Sequence, residues 1–171
     1  LNGDLELVGG LSLTTAGALE IDAAVTLQGS ASLQAADLVL TGAGELAAHG
    51  ITIDAASIQA DSGSALVSTR DLVVTADTLE SHADMIAQRD LKIAANNATN
   101  LGLWYAERSL VVDVFDSLVN GSDDRVAAIV GGKIDIRDSD RTANVANNGS
   151  LIESGSTINF DVASVTNTRT G

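Results

Sequence analysis

Arg70-Asp71-Leu72-Val73-Val74, Arg89-Asp90-Leu91-Lys92-Ile93 and Arg108-Ser109-Leu110-Val111-Val112 repeat one motif at a constant interval of 19 residues. A period of that length, centred each time on an apolar-x-apolar strand, marks a solenoid in which every turn of chain stacks on the one before. The same anchor recurs at Leu19-Glu20-Ile21, Leu38-Val39-Leu40, Ile51-Thr52-Ile53, Ile134-Asp135-Ile136 and Ile158-Asn159-Phe160, giving intervals of 19, 13, 21, 19, 19, 24 and 24 along the series. The short second interval marks either a trimmed turn or a misplaced anchor. Leu5-Glu6-Leu7 and Leu11-Ser12-Leu13 belong to one more turn at the start.

Each turn carries more than its anchor. Ala23, Ala55, Ala76, Ala95, Val114 and Val162 fall two residues past an anchor and share its inward face by strand alternation. Ile58, Leu79, Ala98 and Val165 fall seven residues past and mark a second strand beyond a sharp corner. Ala65-Leu66-Val67, Met85-Ile86-Ala87, Val126 to Val130 and Leu151-Ile152 suggest a third. Three short strands in a turn of about 19–24 residues make an all-β parallel β-helix of about eight or nine turns. A hairpin meander needs two-residue turns between sequential neighbours and gives no 19-residue column. A helical reading fails because no stretch holds a 3.6-residue period for three turns.

Composition agrees. Of 171 residues 45% are apolar, but only Trp104, Tyr105, Phe115 and Phe160 are aromatic, so Leu, Ile, Val and Ala must fill a thin, uniform core. Proline is absent, which suits strands paired on both sides, since proline removes a ladder donor. Without cysteine the chain has no disulfide or thiolate chemistry. A net charge of −14 argues against nucleic acid and anionic membrane surfaces as partners. No run reaches the eighteen or so apolar residues of a membrane span. Beginning at Leu1 and ending in mid-pattern at Gly171, the sequence is expected to be a piece of a longer chain, stacked between flanking β-helix turns of that parent.

Arg70-Asp-Leu-Val-Val-Thr-Ala-Asp-Thr-Leu79, Arg89-Asp-Leu-Lys-Ile-Ala-Ala95 and Asn147-Asn-Gly-Ser-Leu-Ile-Glu-Ser-Gly-Ser156, leading through Ile158-Asn-Phe-Asp to Val165-Thr-Asn-Thr-Arg169, resemble the repeats of filamentous haemagglutinin-type exoproteins. These are the large proteins exported by two-partner secretion in Gram-negative bacteria, adhesins and contact-dependent growth-inhibition proteins among them. The resemblance covers roughly residues 15–171 and implies a right-handed β-helix. It also implies a secreted or cell-surface location, an outer-membrane transporter as partner during export, and work as a stalk or adhesive surface that meets a receptor protein or glycan.

Within one continuous β-helix, residues 1–99 make regular turns rich in small residues, whereas residues 100–171 continue it with longer, more charged turns. Extra residues must leave the core as loops, expected on one face, and that face is where a partner is sought. The candidate contact residues are Trp104, Tyr105, Asp123, Asp124, Arg137, Asp138, Asp140 and Arg141. Trp104, Tyr105 and Phe115 could be exposed anchors or could fill the wider core of an enlarged turn. Asp123, Asp124, Asp138 and Asp140 could meet a cation if two loops converge, but no metal or cofactor is expected. His49 and His82 stand alone, and the Gly-Gly-x-Gly-x-Asp repeat of calcium-binding β-rolls does not occur.

The arginine column, set beside Asp71 and Asp90, is expected to be a register-keeping charge ladder, with a polyanion site as its sharper alternative. Asp22, Asp54, Asp113 and Asp161 follow the anchors and are expected to face solvent. The asparagine-rich runs, including Asn100, Asn147 and Asn167, are expected to hold turns and stack their amides. The expectation is a non-catalytic segment. The alternative is a β-helical polysaccharide lyase or glycosidase in which Asp113, Asp135, Asp138, Arg137 and Lys133 share one face.

Overall fold

The computed structural model describes residue 1, residues 3–122 and residues 124–168 of the chain. Among them every regular element is a strand: β1 (Leu5–Leu7), β2 (Leu11–Thr14), β3 (Ala18–Ile21), β4 (Ala24–Leu27), β5 (Ala31–Leu40), β6 (Glu45–Ala48), β7 (Ile51–Ala60), β8 (Ala65–Ser68), β9 (Leu72–Ser81), β10 (Asp84–Ala87), β11 (Asp90–Asn100), β12 (Leu103–Asn120), β13 (Ala128–Arg137), β14 (Asn144–Asn148), β15 (Leu151–Asp161) and β16 (Ser164–Thr168). The pairings between these strands are parallel, and they form three columns of a β-solenoid with eight turns among the described residues.

The first column runs from β1 through β4, β6, β8 and β10 to the opening residues of β12, β13 and β15. The second runs from β2 through the first halves of β5, β7, β9 and β11, the middle of β12, and the closing residues of β13 and β15. The third runs from β3 through the second halves of β5, β7, β9 and β11, the end of β12, β14 and β16.

These registers locate the anomaly in the sequence spacing. Leu19-Glu20-Ile21 and Leu38-Val39-Leu40 belong to the third column, whereas Ile51-Thr52-Ile53 belongs to the second, so the interval of 13 came from changing columns. Followed strictly, the second column places Leu13, Leu33, Ile53, Val74, Ile93, Val112, Ile136 and Phe160 over one another, at intervals of 20, 20, 21, 19, 19, 24 and 24. No turn is trimmed.

Alternation decides which face is buried. In β7, Ile51, Ile53, Ala55, Ile58 and Ala60 are buried, while Thr52, Asp54, Ala56 and Gln59 are exposed. The expected inward residues Ala55, Ala76, Ala95 and Val114 are buried where the second strand bends into the third, and their small size admits the corner. Burying each Leu, Ile or Val of the column contributes about 1.5–3 kcal/mol. Backbones also meet closely at corners. A Cβ added at Gly102 would lie 2.3 Å from the Ala83 carbonyl oxygen one turn below, so only glycine fits there.

The two 24-residue intervals have different origins. Residues 121–127 enlarge the corner between the third and first strands, and residues 138–143 enlarge the corner between the second and third. The two loops therefore sit at different corners of the prism. This corrects the expectation that the extra residues share one face, because an insertion stays at the corner where it enters the turn.

Candidate functional site

The corner between the second and third strands gathers the features that a partner could meet. In the regular turns it is narrow, and β11 stacks on β9 with one residue, Asn96, opposite Asp77. In β12 the register slips: Val114 sits over Ala95 and Ser117 over Asn97, so Phe115 and Asp116 together face Asn96. An extra residue in one strand bends it outward and re-aims a side chain. Here the bulge leaves Phe115 46% exposed at the corner.

Phe115 stands between two hollows. On one side a groove of about 400 Å³ runs back over four turns, floored by Ala35, Ala55, Ala76 and Ala94 and edged by Gln34, Asp54, Thr75, Asp77 and Asn96. On the other side a hollow of about 350 Å³ is bounded by Asp113, Arg137, Asp138, Ser139 and Asp161.

The loop beyond Arg137 is built by one carboxylate. Asp138 is buried, accepts the backbone N–H groups of Asp140 (3.1 Å), Thr142 (2.6 Å) and Ala143 (2.9 Å), and also accepts the Thr142 hydroxyl at 3.1 Å. The Ala143 amide, first among these donors, holds the carboxyl below the usual aspartate range. Asp138 is thus a loop organiser, and its candidacy as a partner contact is corrected, because its oxygens are already occupied.

The charged groups around it form a ladder. Arg137 Nε donates to Asp113 Oδ1 at 2.5 Å and its Nη1 to Asp135 Oδ2 at 3.4 Å. Lys92 approaches Asp113 from the turn below at 3.4 Å, Asn159 donates to Asp135 at 2.9 Å, and Arg141 Nε meets Asp161 at 2.5 Å. The hydrogen bond to Asp113 raises the affinity of Arg137 for its proton above the ordinary arginine value. The same pattern occupies the corner between first and second strands, where Arg89 pairs with Asp71 and Arg108 with Asp90, each reaching back one turn. Arg108 also holds the Asp90 carboxyl below its usual range. The arginine column is therefore a chain of inter-turn ion pairs. Asp54 faces solvent as expected, while Asp113 and Asp161 are half-buried in the ladder and Asp22 turns one carboxylate oxygen into the protein.

The other expected contact residues scatter. Trp104 is fully buried between Met85 and Ile129 in the first column, which corrects it as a contact candidate and agrees with the alternative of a core residue: it falls on the inward face of its strand. Tyr105 is half-buried beside it. Asp124 is exposed in the loop at residues 121–127, a different corner from Asp138 and Asp140, so it does not join them. Asp123 lies outside the described residues. Arg137 is exposed at the end of β13 beside Phe115, and Asp140 and Arg141 are exposed on the loop that follows.

Sequence reasoning placed asparagines in turns but did not single out their inward column. Asn100, Asn120 and Asn147 are buried, and side-chain amides pass from Asn100 to Asn120 (2.8 Å), from Asn120 to Asn147 (2.7 Å) and from Asn147 to Asn167 (3.0 Å). A 20-residue step between Asn100 and Asn120 was the available signal.

No protein family, curated protein or solved structure matches this chain.

Proposed function

We propose that the chain is a non-catalytic β-helical segment of a secreted bacterial surface exoprotein of the filamentous haemagglutinin type, spanning distance and presenting a contact surface to a host or target cell. The observation that carries this reading is Phe115, a large apolar side chain standing half-exposed at a bulged corner where the turns below carry Asn96 and Asp77, and set between two hollows. An aromatic with one face packed and one face open is what anchors an interface. Asp54 and Asp77 along the groove favour a neutral or cationic partner, such as a glycan or receptor protein without net negative charge. Of the carboxylates in the lyase-like alternative, Asp113 and Asp135 are engaged with Arg137 and Asp138 with loop amides, which supports a structural role for them over proton transfer.

The test is the Phe115→Ser variant assayed for binding to target cells and for unfolding in urea. Binding is expected to fall at least about tenfold with the urea midpoint unchanged, as for an interface anchor. Unchanged binding removes Phe115 as the contact, and polysaccharide turnover that disappears in Asp113→Asn would replace the scaffold reading with the enzymatic one.

A further inference from the structure

The eight turns are not equivalent along the third column. At the position where the third strand ends, successive turns carry Ile21, Leu40, Ala60, Ser81, Asn100, Asn120, Asn147 and Asn167. The column is apolar in the early turns and amide in the late ones. An asparagine amide has two N–H donors and one oxygen acceptor. In this column each buried amide sends one hydrogen to the next asparagine and the other to a backbone carbonyl: Asn100 to Ala128, Asn120 to Leu151, Asn147 to Ser150. The oxygen of the first member, Asn100, accepts from the Gly102 amide at 3.1 Å. The ladder therefore has a direction, with donors pointing toward the C-terminal end. Asn167, its last member among the described residues, is exposed there.

The apolar column is open at the same face. Ile158, Phe160 and Val165 are 41%, 37% and 45% exposed, whereas Ile134, Ile136 and Val145, over which they stack, are 0%, 0% and 1% exposed. With Leu151 and Asn167 they border a hollow of about 310 Å³. At the opposite end Leu5, Leu7, Leu11, Leu13 and Leu19 are half-buried against the core. The two ends differ in both shape and chemistry.

We propose that the face made by β15 and β16 is a docking surface for one further parallel β-turn that carries asparagine at the ladder position, and that the ladder selects that turn. The inter-turn interface already repeats along the whole stack, so the occupant is specified by continuity. It presents strand edges in register, apolar residues over Ile158, Phe160 and Val165, and a side-chain oxygen over Asn167. An apolar residue at that last position would strand a buried donor, and such a loss is larger than the gain from the bond itself. A second copy of this segment is the wrong occupant. Its first turn would place Ile21 on Asn167, and two chains of net charge −14 repel. This inference stands independently of the cell-contact reading.

The test extends the full chain by a second copy of residues 148–168, either unchanged or with its Asn167 equivalent replaced by leucine. Amide hydrogen exchange is then measured in β15 and β16. The unchanged extension is expected to slow exchange at Ile158, Phe160 and Val165 at least about tenfold relative to the leucine extension. Equal protection by both extensions would remove selection by the ladder. No protection by either would remove docking, and the unchanged strands of the first seven turns report that the stack itself is folded. Sedimentation of the unextended chain is the remaining arm: a head-to-tail dimer would give the face to a second copy and overturn the proposal.

Discussion

Asn120 donates one side-chain hydrogen to Asn147 Oδ1 at 2.7 Å and the other to the Leu151 carbonyl at 3.1 Å, tying three turns together from inside the core. Replacing it with leucine keeps the volume but leaves the Asn147 oxygen and the Leu151 carbonyl short of donors and the buried Asn100 amide short of an acceptor. Each unsatisfied buried group costs about 1–3 kcal/mol. Asn120→Leu is therefore expected to cost at least about 2 kcal/mol and to lower the melting temperature by at least roughly 4–8 °C. Calorimetry checks it, and a melting temperature equal to the parent's would show that the ladder contributes no stability. Asn120 heads an Asn-Gly-Ser acceptor sequence, but its burial leaves no room for a glycan.

Trp104 poses a separate test, since its ring is fully buried and, among the described residues, its Nε1–H has no acceptor. Trp104→Ala opens a cavity and is expected to cost about 3–5 kcal/mol. Trp104→Phe removes the orphan donor together with part of the ring, two effects of opposite sign, and is expected to be milder by several-fold. Urea denaturation of both variants measures this. A Trp104→Ala protein of parent stability that fails to bind cells would return the residue to the contact surface.

The period, the parallel stacking and the three strands per turn were legible because a column of identical cross-section forces the same inward positions to recur. Leu72, Leu91 and Leu110 cannot do otherwise. The corner holding each insertion was not legible, because one anchor measures only the length of a turn and not where within it the extra residues lie. Phe115 and Trp104 are both aromatics of the longer turns, and strand alternation separates them: Phe115 follows the buried Val114 and points out, whereas Trp104 falls on the inward face between Met85 and Ile129. The role of Asp138 carried a weak local signal, since aspartate before a polar loop often caps backbone amides.

The Arg89–Asp71 pair spans two turns at the surface, with both side chains more than a third exposed. Such pairs are screened by water and salt. A double-mutant cycle with Arg89→Gln and Asp71→Asn is expected to show a coupling of about fivefold or less in the unfolding equilibrium, vanishing near 1 M salt where the screening length is about 3 Å. A coupling that persists at high salt would make the arginine column a principal support of the fold and not a keeper of register.

The loop that follows Arg137 and carries Arg141 holds an acid-sensitive contact. The Asp138 carboxyl is held below its ordinary value by the amides of Ala143, Asp140 and Thr142, so the folded state prefers the charged form more than the unfolded chain does. Its contribution is then complete above the unfolded aspartate value of about 3.9 and is lost as pH falls from there through the lower folded value. Asp90, held down by Arg108, has the same sign and adds to the loss. Asp138→Asn cannot offer the amides a charged acceptor at any pH. The parent and this variant should therefore differ in urea midpoint by a constant amount between about pH 5 and pH 7, with the gap closing below about pH 4. A gap that stays open at low pH would mean that shape, not charge, holds the loop, and a gap absent at pH 7 would mean that the loop needs no carboxylate.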